Sequence, residues 1–434
     1  MKVLKFGGTS VGNVENMRQV MNIVNDGERK IVVLSAMAGT TNFLVELYEL
    51  TKKQNDGFSV KHKIDFLKEQ YIEVIENLYK TDDTKNEALR FTRNCFGKIY
   101  HVIDENPKDL EGYILAQGEI LSTNLFTYLL KENGINAECI PALEFMRIDP
   151  NGEPDGFFIK KTLGYYMEKY SATIYVTQGF ICRDFKGYIT NLKRGGSDYT
   201  ASIIGARLRA KDIQIWTDVD GFQNNDPRYV KKTKPISELS FEEAAELAYF
   251  GAKILHPQTV FPAQNKNIPV YLKNTLDPKA KGTRISSDVK ANGVKAIAAK
   301  DGITAIKIKS ERMLHSYGFL NKVFEVFSRF ETPIDMITTS EVAVSLTIDN
   351  ATNLDKIIPE LENFAKIEVD QNQSIVCLVG HEITKSNDTH KLFGILKDYT
   401  VRMISYGGSS NNISILIDTD KKINVLNKLH QLVF

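Results

Sequence analysis

The sequence has 434 residues, 42% hydrophobic and 25% charged, with 55 basic against 54 acidic side chains. Those proportions exclude a fibre or a disordered chain and allow two or three globular domains, while the balanced charge gives no general field for nucleic acid or an anionic membrane. Four scattered cysteines without a C-x-x-C pair support neither a zinc ribbon nor a disulfide framework, no apolar run reaches the roughly 18 residues of a membrane helix, and Met1 leads straight into a strand, so a cytoplasmic location is expected.

In chain order, Val3-Leu4-Lys5-Phe6 reads as a buried strand, Gly7-Gly8 as a turn, Thr9 and Ser10 as cap candidates, and Val14–Val24 as a helix with Val14, Met17, Met21 and Val24 at helical spacing. Paired glycines let a backbone approach a phosphate, and a helix start offers unpaired N–H groups and the positive end of its dipole. Lys5, at the strand end, then faces the ligand. A second strand, 31–35, with the loop 36–42 and a helix from near Asn42, repeats this form. Residues 60–102 read as a charged helical hairpin, and 114–133 as a helix carrying Gln117-Gly118-Glu119 and ended by Gly134. Strands at 172–178, 213–217 and 268–272 alternate with helices at 198–208 and 241–250. Two more glycine-bearing loops, Lys193-Arg194-Gly195-Gly196-Ser197-Asp198 and Trp216-Thr217-Asp218-Val219-Asp220-Gly221, follow apolar runs. The alternation predicts an α/β domain with a largely parallel open sheet sandwiched by helices, built for phosphate handling.

The turn-rich stretch 274–292, with Asp277-Pro278 and Lys281-Gly282, reads as a linker and divides the chain into 1–275, a linker at 276–293, and 294–434. An internal repeat follows. Residues 303–308, 319–330, 334–338 and 342–348 give strand, helix, strand, strand, and 374–379, 390–396, 401–404 and 413–417 give the same order. Two small α+β modules, about 303–370 and 371–434, behind a phosphate-handling domain suggest an enzyme with a regulatory tail.

The stretches Lys5-Phe6-Gly7-Gly8-Thr9-Ser10-Val11, Leu34-Ser35-Ala36-Met37-Ala38-Gly39, Thr177-Gln178-Gly179-Phe180, Gly195-Gly196-Ser197-Asp198-Tyr199-Thr200, Trp216-Thr217-Asp218-Val219 and Phe250-Gly251-Ala252-Lys253 resemble, in order and context, the signatures of the aspartate kinases of the amino acid kinase superfamily, which carry a tandem of ferredoxin-like ACT ligand-binding domains. The resemblance covers essentially the whole length. It implies transfer of the ATP γ-phosphoryl group to the side-chain carboxylate of L-aspartate. Such transfer needs positioning and cationic groups more than covalent help, and an acceptor carboxylate is already ionised, so no general base is expected. Lys5 matches the family lysine between donor and acceptor. Gly7, Gly8, Ser35 and Gly39 are expected to supply backbone donors, and Mg²⁺ to arrive with ATP rather than in a protein cage, with no histidine in a metal role. Glu119 and Arg194 match the residues that hold the ammonium and carboxylate of the substrate. Thr41, Phe180 and Asp198 match the rest of that pocket, Asp198 orienting the cationic groups.

For the nucleotide, Thr217, Asp218, Arg228 and Lys253 match family positions. Gln223 and Asn225 depart from the pattern where an aromatic and a small or hydroxyl residue are expected on the adenine side. In the tail, Met313, Ser316, Gly318, Phe319 and Leu320, with Asp335, Thr339, Ser340 and Glu341, resemble the effector site of lysine-inhibited members. A glycine turn at a helix start can hold an α-carboxylate, while Asp335 and Glu341 can face ammonium groups. Lysine is the expected inhibitor and threonine the second choice, with a homodimer or dimer of dimers formed through the ACT modules. In this family the first module is inserted into the second, which assigns strand 294–299 to the C-terminal unit. With the sequence ending at Phe434 directly after the second module, no fused homoserine dehydrogenase is expected. Two readings compete: another phosphotransferase of the superfamily, and a non-catalytic amino-acid sensor, which would have lost Lys5, Arg194 or Asp198.

Overall fold

The computed structural model describes residues 1–53, 57–193, 195–251, 255–289, 292–310, 317–385, 393–394 and 396–434. They form two compact units: Met1–Phe222, Ser237–Phe241 and Leu255–Asp288 in the first, and Gln223–Ile236, Glu242–Ile254 and Val289–Phe434 in the second.

The strands of the first unit are β1 (Lys2–Phe6), β2 (Lys30–Leu34), β3 (Ala137–Cys139), β4 (Ile174–Gln178), β5 (Ile181–Arg183), β6 (Ile189–Asn191), β7 (Ile213–Thr217), β8 (Glu238–Leu239), β9 (Val270–Asn274) and β10 (Thr283–Ile285). Eight form one sheet in the order β3-β4-β2-β1-β7-β9-β10-β8, and only β9 and β10 run antiparallel. Strand β10 lies inside the stretch whose turn formers read as a linker. In β2 and β4 every residue is buried, as expected of parallel strands covered on both faces, and Ile31, Val32, Val33, Ile174 and Val176 supply the apolar β-branched part of the runs.

The helices of this part of the chain are α1 (Val14–Val24), α2 (Thr40–Thr51), α3 (Gly57–Leu78), α4 (Asp82–Glu105), α5 (Leu110–Glu132), α6 (Ala142–Phe145), α7 (Gly156–Tyr170), α8 (Gly196–Leu208), α9 (Phe241–Tyr249) and α10 (Phe261–Gln264), of which α9 lies, from Glu242 on, in the second unit. Helix α3 buries Val60, Ile64, Leu67, Tyr71, Ile75 and Leu78, a helical stripe, and Thr81 caps α4 by accepting from the Thr84 amide. Helix α5 is buried over most of its length, so it shows no amphipathic stripe. Helix α1 is capped by Asn13, whose side chain accepts from the Asn16 amide at 2.8 Å. Thr9 and Ser10, the expected caps, instead lie in a 3-10 turn, and Ser10 Oγ bonds Thr275 Oγ1 at 2.7 Å. Tertiary contact has taken the hydroxyl that local sequence offered to the helix. Cys95, Cys182 and Cys377 are buried free thiols and Cys139 is a half-buried one.

The second unit contains β11 (Gly293–Lys309), β12 (Ile337–Thr339), β13 (Ala343–Ile348), β14 (Lys366–His381), β15 (Met403–Ser405) and β16 (Asn412–Asp418), with α11 (Phe319–Arg329), α12 (Leu354–Glu362) and a C-terminal helix, Lys422–Val433. The strands form a single sheet in the order β12-β13-β11-β14-β16-β15. The two expected strands 294–299 and 303–308 are one long strand, whose pairing with β14 shifts register between Val294 and Ala296, between Lys300 and Ile303, and between Ile303 and Ala305. Its first part, Val294 to Lys300, pairs with Gly380 to Ile375 of β14, and its second part pairs with Gln373 to Lys366. One core gathers Ile306, Val323, Phe327, Leu346 and Leu361, and another Ile297, Val376, Ile415, Val425 and Leu429. The expected helix 390–396 falls largely outside the described residues. No described helix is long and apolar enough to cross a membrane.

Candidate active site

Parallel register decides where the glycine loops emerge. Phe6 pairs with Leu34 and with Trp216, and Leu34 pairs with Gln178, so β1, β2, β4 and β7 end level with one another. The loops beginning at Gly7, Ser35, Gly179 and Asp218 therefore open from the same edge, where ligands of open α/β sheets bind. At that edge Lys5 Nζ and an Asp198 carboxylate oxygen are 2.6 Å apart, with side chains only 12% and 16% exposed. Lys5 is placed by β1 and Asp198 by the first turn of α8, where a helix dipole favours a carboxylate.

The loops are packed against each other closely. A Cβ on Gly8 would meet the Ala36 carbonyl oxygen at 3.0 Å, and one on Gly195, already at φ +73°, would overlap Thr259 Cγ2. Expected backbone donors divide into two sets. The Gly7 amide donates to the Trp216 carbonyl at 3.2 Å and the Ser35 amide to the Phe6 carbonyl at 3.2 Å, so both hold the loops in place. Among the described residues, the Gly8 and Gly39 amides donate to no protein carbonyl.

Glu119 sits in α5 at 3% exposure, and one of its carboxylate oxygens has no hydrogen-bond partner among the described residues. Burial pushes its carboxyl up to about 7, partly offset by the Ala36 amide. An unpaired buried carboxylate of this kind calls for a cation. Thr41 is half-buried in the first turn of α2. Ser35 Oγ donates to Ser197 Oγ at 2.9 Å. Phe180 holds φ +67°, a left-handed conformation costly for an aromatic residue. Its amide donates to Thr200 Oγ1 at 2.9 Å and its carbonyl accepts from Leu192 at 2.9 Å. Ser197 and Thr200 were not among the residues singled out from sequence; both stand in the Gly-Gly-Ser-Asp-Tyr-Thr motif, which was the available signal. Arg194 and Lys253 lie outside the described residues.

Thr217 closes β7 and donates from its hydroxyl to Asp218 at 3.1 Å, while Asp218 is exposed. Arg228 belongs to the second unit. It is exposed and forked onto Asp226, with Nη2 at 2.6 Å and Nε at 3.0 Å. Asn225 is buried, and its amide donates to the Leu426 carbonyl at 3.4 Å. Among the described residues, no three His, Cys, Asp or Glu side chains group as a metal site.

Of the expected effector residues, Met313 and Ser316 lie outside the described residues. Gly318 starts α11 at φ +78°, Phe319 is buried against Phe364, and Leu320 packs on the same core. The Asp335 side chain is 1% exposed. One carboxylate oxygen accepts from the Tyr249 hydroxyl and from Lys300 Nζ at 3.2 Å, and the other has no partner among the described residues. Lys300 also pairs with Asp349 at 2.7 Å and lies 4.2 Å over the Tyr249 ring. Burial raises the Asp335 carboxyl above the usual range. Thr339, Ser340 and Glu341 are exposed, at the far end of β12 from Asp335. Nothing in the sequence singled out Tyr249, Lys300 or Asp349.

A model of the amino acid kinase family matches residues 1–274, and an ACT domain model matches 376–432. The chain is 35% identical to lysine-sensitive aspartokinase 3 of Escherichia coli strain K12, over all of this chain and 99% of that one. It is 34% identical to the chloroplastic aspartokinase 1 of Arabidopsis thaliana, over all of this chain and 80% of that protein. The crystal structure of E. coli aspartokinase III with aspartate and ADP, in the R-state, matches at TM-score 0.85 and 34% identity over all of both chains. The same protein with lysine and aspartate, in the T-state, matches at 0.84 over all of this chain and 99% of that one.

Proposed function

The chain belongs to the aspartate kinases of the amino acid kinase family, and on that premise we propose how its residues divide the work. The enzyme transfers the γ-phosphoryl group of ATP to the side-chain carboxylate of L-aspartate, giving 4-phospho-L-aspartate for amino-acid biosynthesis. A carboxylate oxygen bonds to the γ-phosphorus as the bond to the ADP oxygen breaks, and no proton has to move. Lys5 sets its ammonium against the negative charge in transfer, and Asp198 fixes that ammonium rather than acting as a base. Gly8 and Gly39 direct amides at the phosphates of MgATP, and Gly7 and Ser35 hold the two loops in register. Glu119 takes the substrate ammonium and Arg194 its α-carboxylate, with Thr41 and Phe180 closing the pocket. Thr217, Asp218, Arg228 and Lys253 hold the nucleotide. The observation that carries the reading is the mostly buried Lys5–Asp198 pair, 2.6 Å apart at the level edge of four strands.

Lysine is the inhibitor on this reading. The buried Asp335 carboxylate, with one oxygen unpartnered among the described residues, suits a ligand ammonium, and a structure of the E. coli relative carries lysine. The ACT modules pair two copies of the chain.

The test is aspartate-dependent ATP turnover with hydroxylamine trapping of the acyl phosphate, run alone and then with lysine or threonine. Trapped product suppressed by lysine supports both parts, and suppression by threonine alone overturns the effector assignment. Wild-type product formation by Lys5→Ala would overturn the catalytic one.

A further inference from the structure

We propose that the C-terminal helix Lys422–Val433 is a positioning element of the nucleotide site, acting through the loop 223–236 that carries Arg228. The inference rests on the reading of Arg228 as a nucleotide contact. It concerns residues other than the proposed nucleotide contacts.

The helix meets the loop through Lys422, Leu426, Asn427 and His430, whose spacing puts them on one face. Asn427 Nδ2 donates to the Tyr229 carbonyl at 3.1 Å, and the Leu426 carbonyl accepts from Asn225 Nδ2 at 3.4 Å. His430 Nε2 stands 3.1 Å from the Lys232 carbonyl, which makes that ring nitrogen the protonated one. Lys422 Nζ lies 4.2 Å over the Tyr229 ring and pairs at 2.5 Å with Asp301, which also accepts from Ser374 Oγ at 2.7 Å. Beneath these contacts Val230 is buried with Ile297, Val376, Val425 and Leu429.

Within the loop, Asn224 and Lys234 exchange bonds of 2.9 and 2.8 Å, closing it into a ring. Asp226 then fixes the Arg228 guanidinium by its fork. The helix contacts at Asn225, Tyr229 and Lys232 thus flank Arg228, whose exposed guanidinium is held by Asp226. This also gives a structural role to Asn225, one of the two residues that depart from the family pattern. Its side-chain amide is engaged with the helix.

The experiment is steady-state kinetics on the full chain, with ATP and aspartate varied separately, for Asn427→Ala, Lys422→Met and Arg228→Ala. Loss of one or two such contacts is expected to raise the KM for ATP roughly five- to tenfold, with kcat and the KM for aspartate changed by less than about twofold. Adding Asn427→Ala to Arg228→Ala is expected to raise that KM no further, the signature of a residue that acts through the arginine. An ATP KM that rises in Arg228→Ala but not in the two helix variants overturns the positioning role and leaves the nucleotide reading intact. An unchanged ATP KM in Arg228→Ala overturns both. Equal rises in the KM for both substrates, or a loss of thermal stability alone, would mean that the helix only supports the fold.

Discussion

Glu119 shows what burial does to a single side chain. Its carboxyl is raised from the usual 4.5 to about 7 because ionisation strands a charge among apolar neighbours. The sign follows for binding and for stability. Below about pH 7 the group is neutral and cannot attract the ammonium of aspartate, so kcat/KM for aspartate should climb as pH rises through that value, and Glu119→Gln should flatten the climb. Without substrate, the unfolded chain releases this proton near 4.5 and the folded one near 7. Stability should therefore fall with rising pH across that window, by at most about 3 kcal/mol, and aspartate should raise the melting temperature more at pH 8 than at pH 6. The presence of Glu119 was legible from its motif, but its burial was not, because the residues that desolvate it come from distant parts of the chain.

Two elements hold side chains in conformations they would not choose alone. Helix α8 offers Thr200 Oγ1 to the Phe180 amide, and that bond helps to offset the cost of a left-handed aromatic residue. Thr200→Val keeps the shape and removes the acceptor. It should raise the KM for aspartate about tenfold with the KM for ATP unchanged, and Thr200→Ser should restore it. Helix α9 ends at Tyr249, whose hydroxyl donates to one Asp335 oxygen and so competes for the charge of the carboxylate with a ligand ammonium at the other oxygen. Tyr249→Phe should lower the lysine concentration for half-inhibition about fivefold by removing that competitor, as a lysine titration of the variant would read. The positions of both helices follow from hydrophobic period, but neither contact does: Phe180 and Thr200 are 20 residues apart, and Tyr249 and Asp335 are 86 apart.

Across the molecule, the two ACT modules are one sheet. Strands β11 and β14 pair along nearly their full lengths, from Gly293–His381 to Lys309–Lys366, so neither module has an edge of its own on that side. Ile306→Ala in one core and Ile415→Ala in the other should each cost about 2–4 kcal/mol and lower the same unfolding transition, which denaturation followed by two probes would check. The sequence by itself determined the α/β domain, its glycine loops, the repeated modules and the family, because strand and helix periods, paired glycines and caps act over a few residues. It also carried Lys5, Asp198 and Glu119 in their motifs. Only the tertiary structure decided that Ser10 serves Thr275 rather than α1, that 294–299 and 303–308 are one strand, that Asp335 is shared by Tyr249 and Lys300, and that the Arg228 loop belongs with the C-terminal helix. Each of these is a pairing between distant segments, set by how buried polar groups find partners once the chain is packed, and no local pattern encodes it.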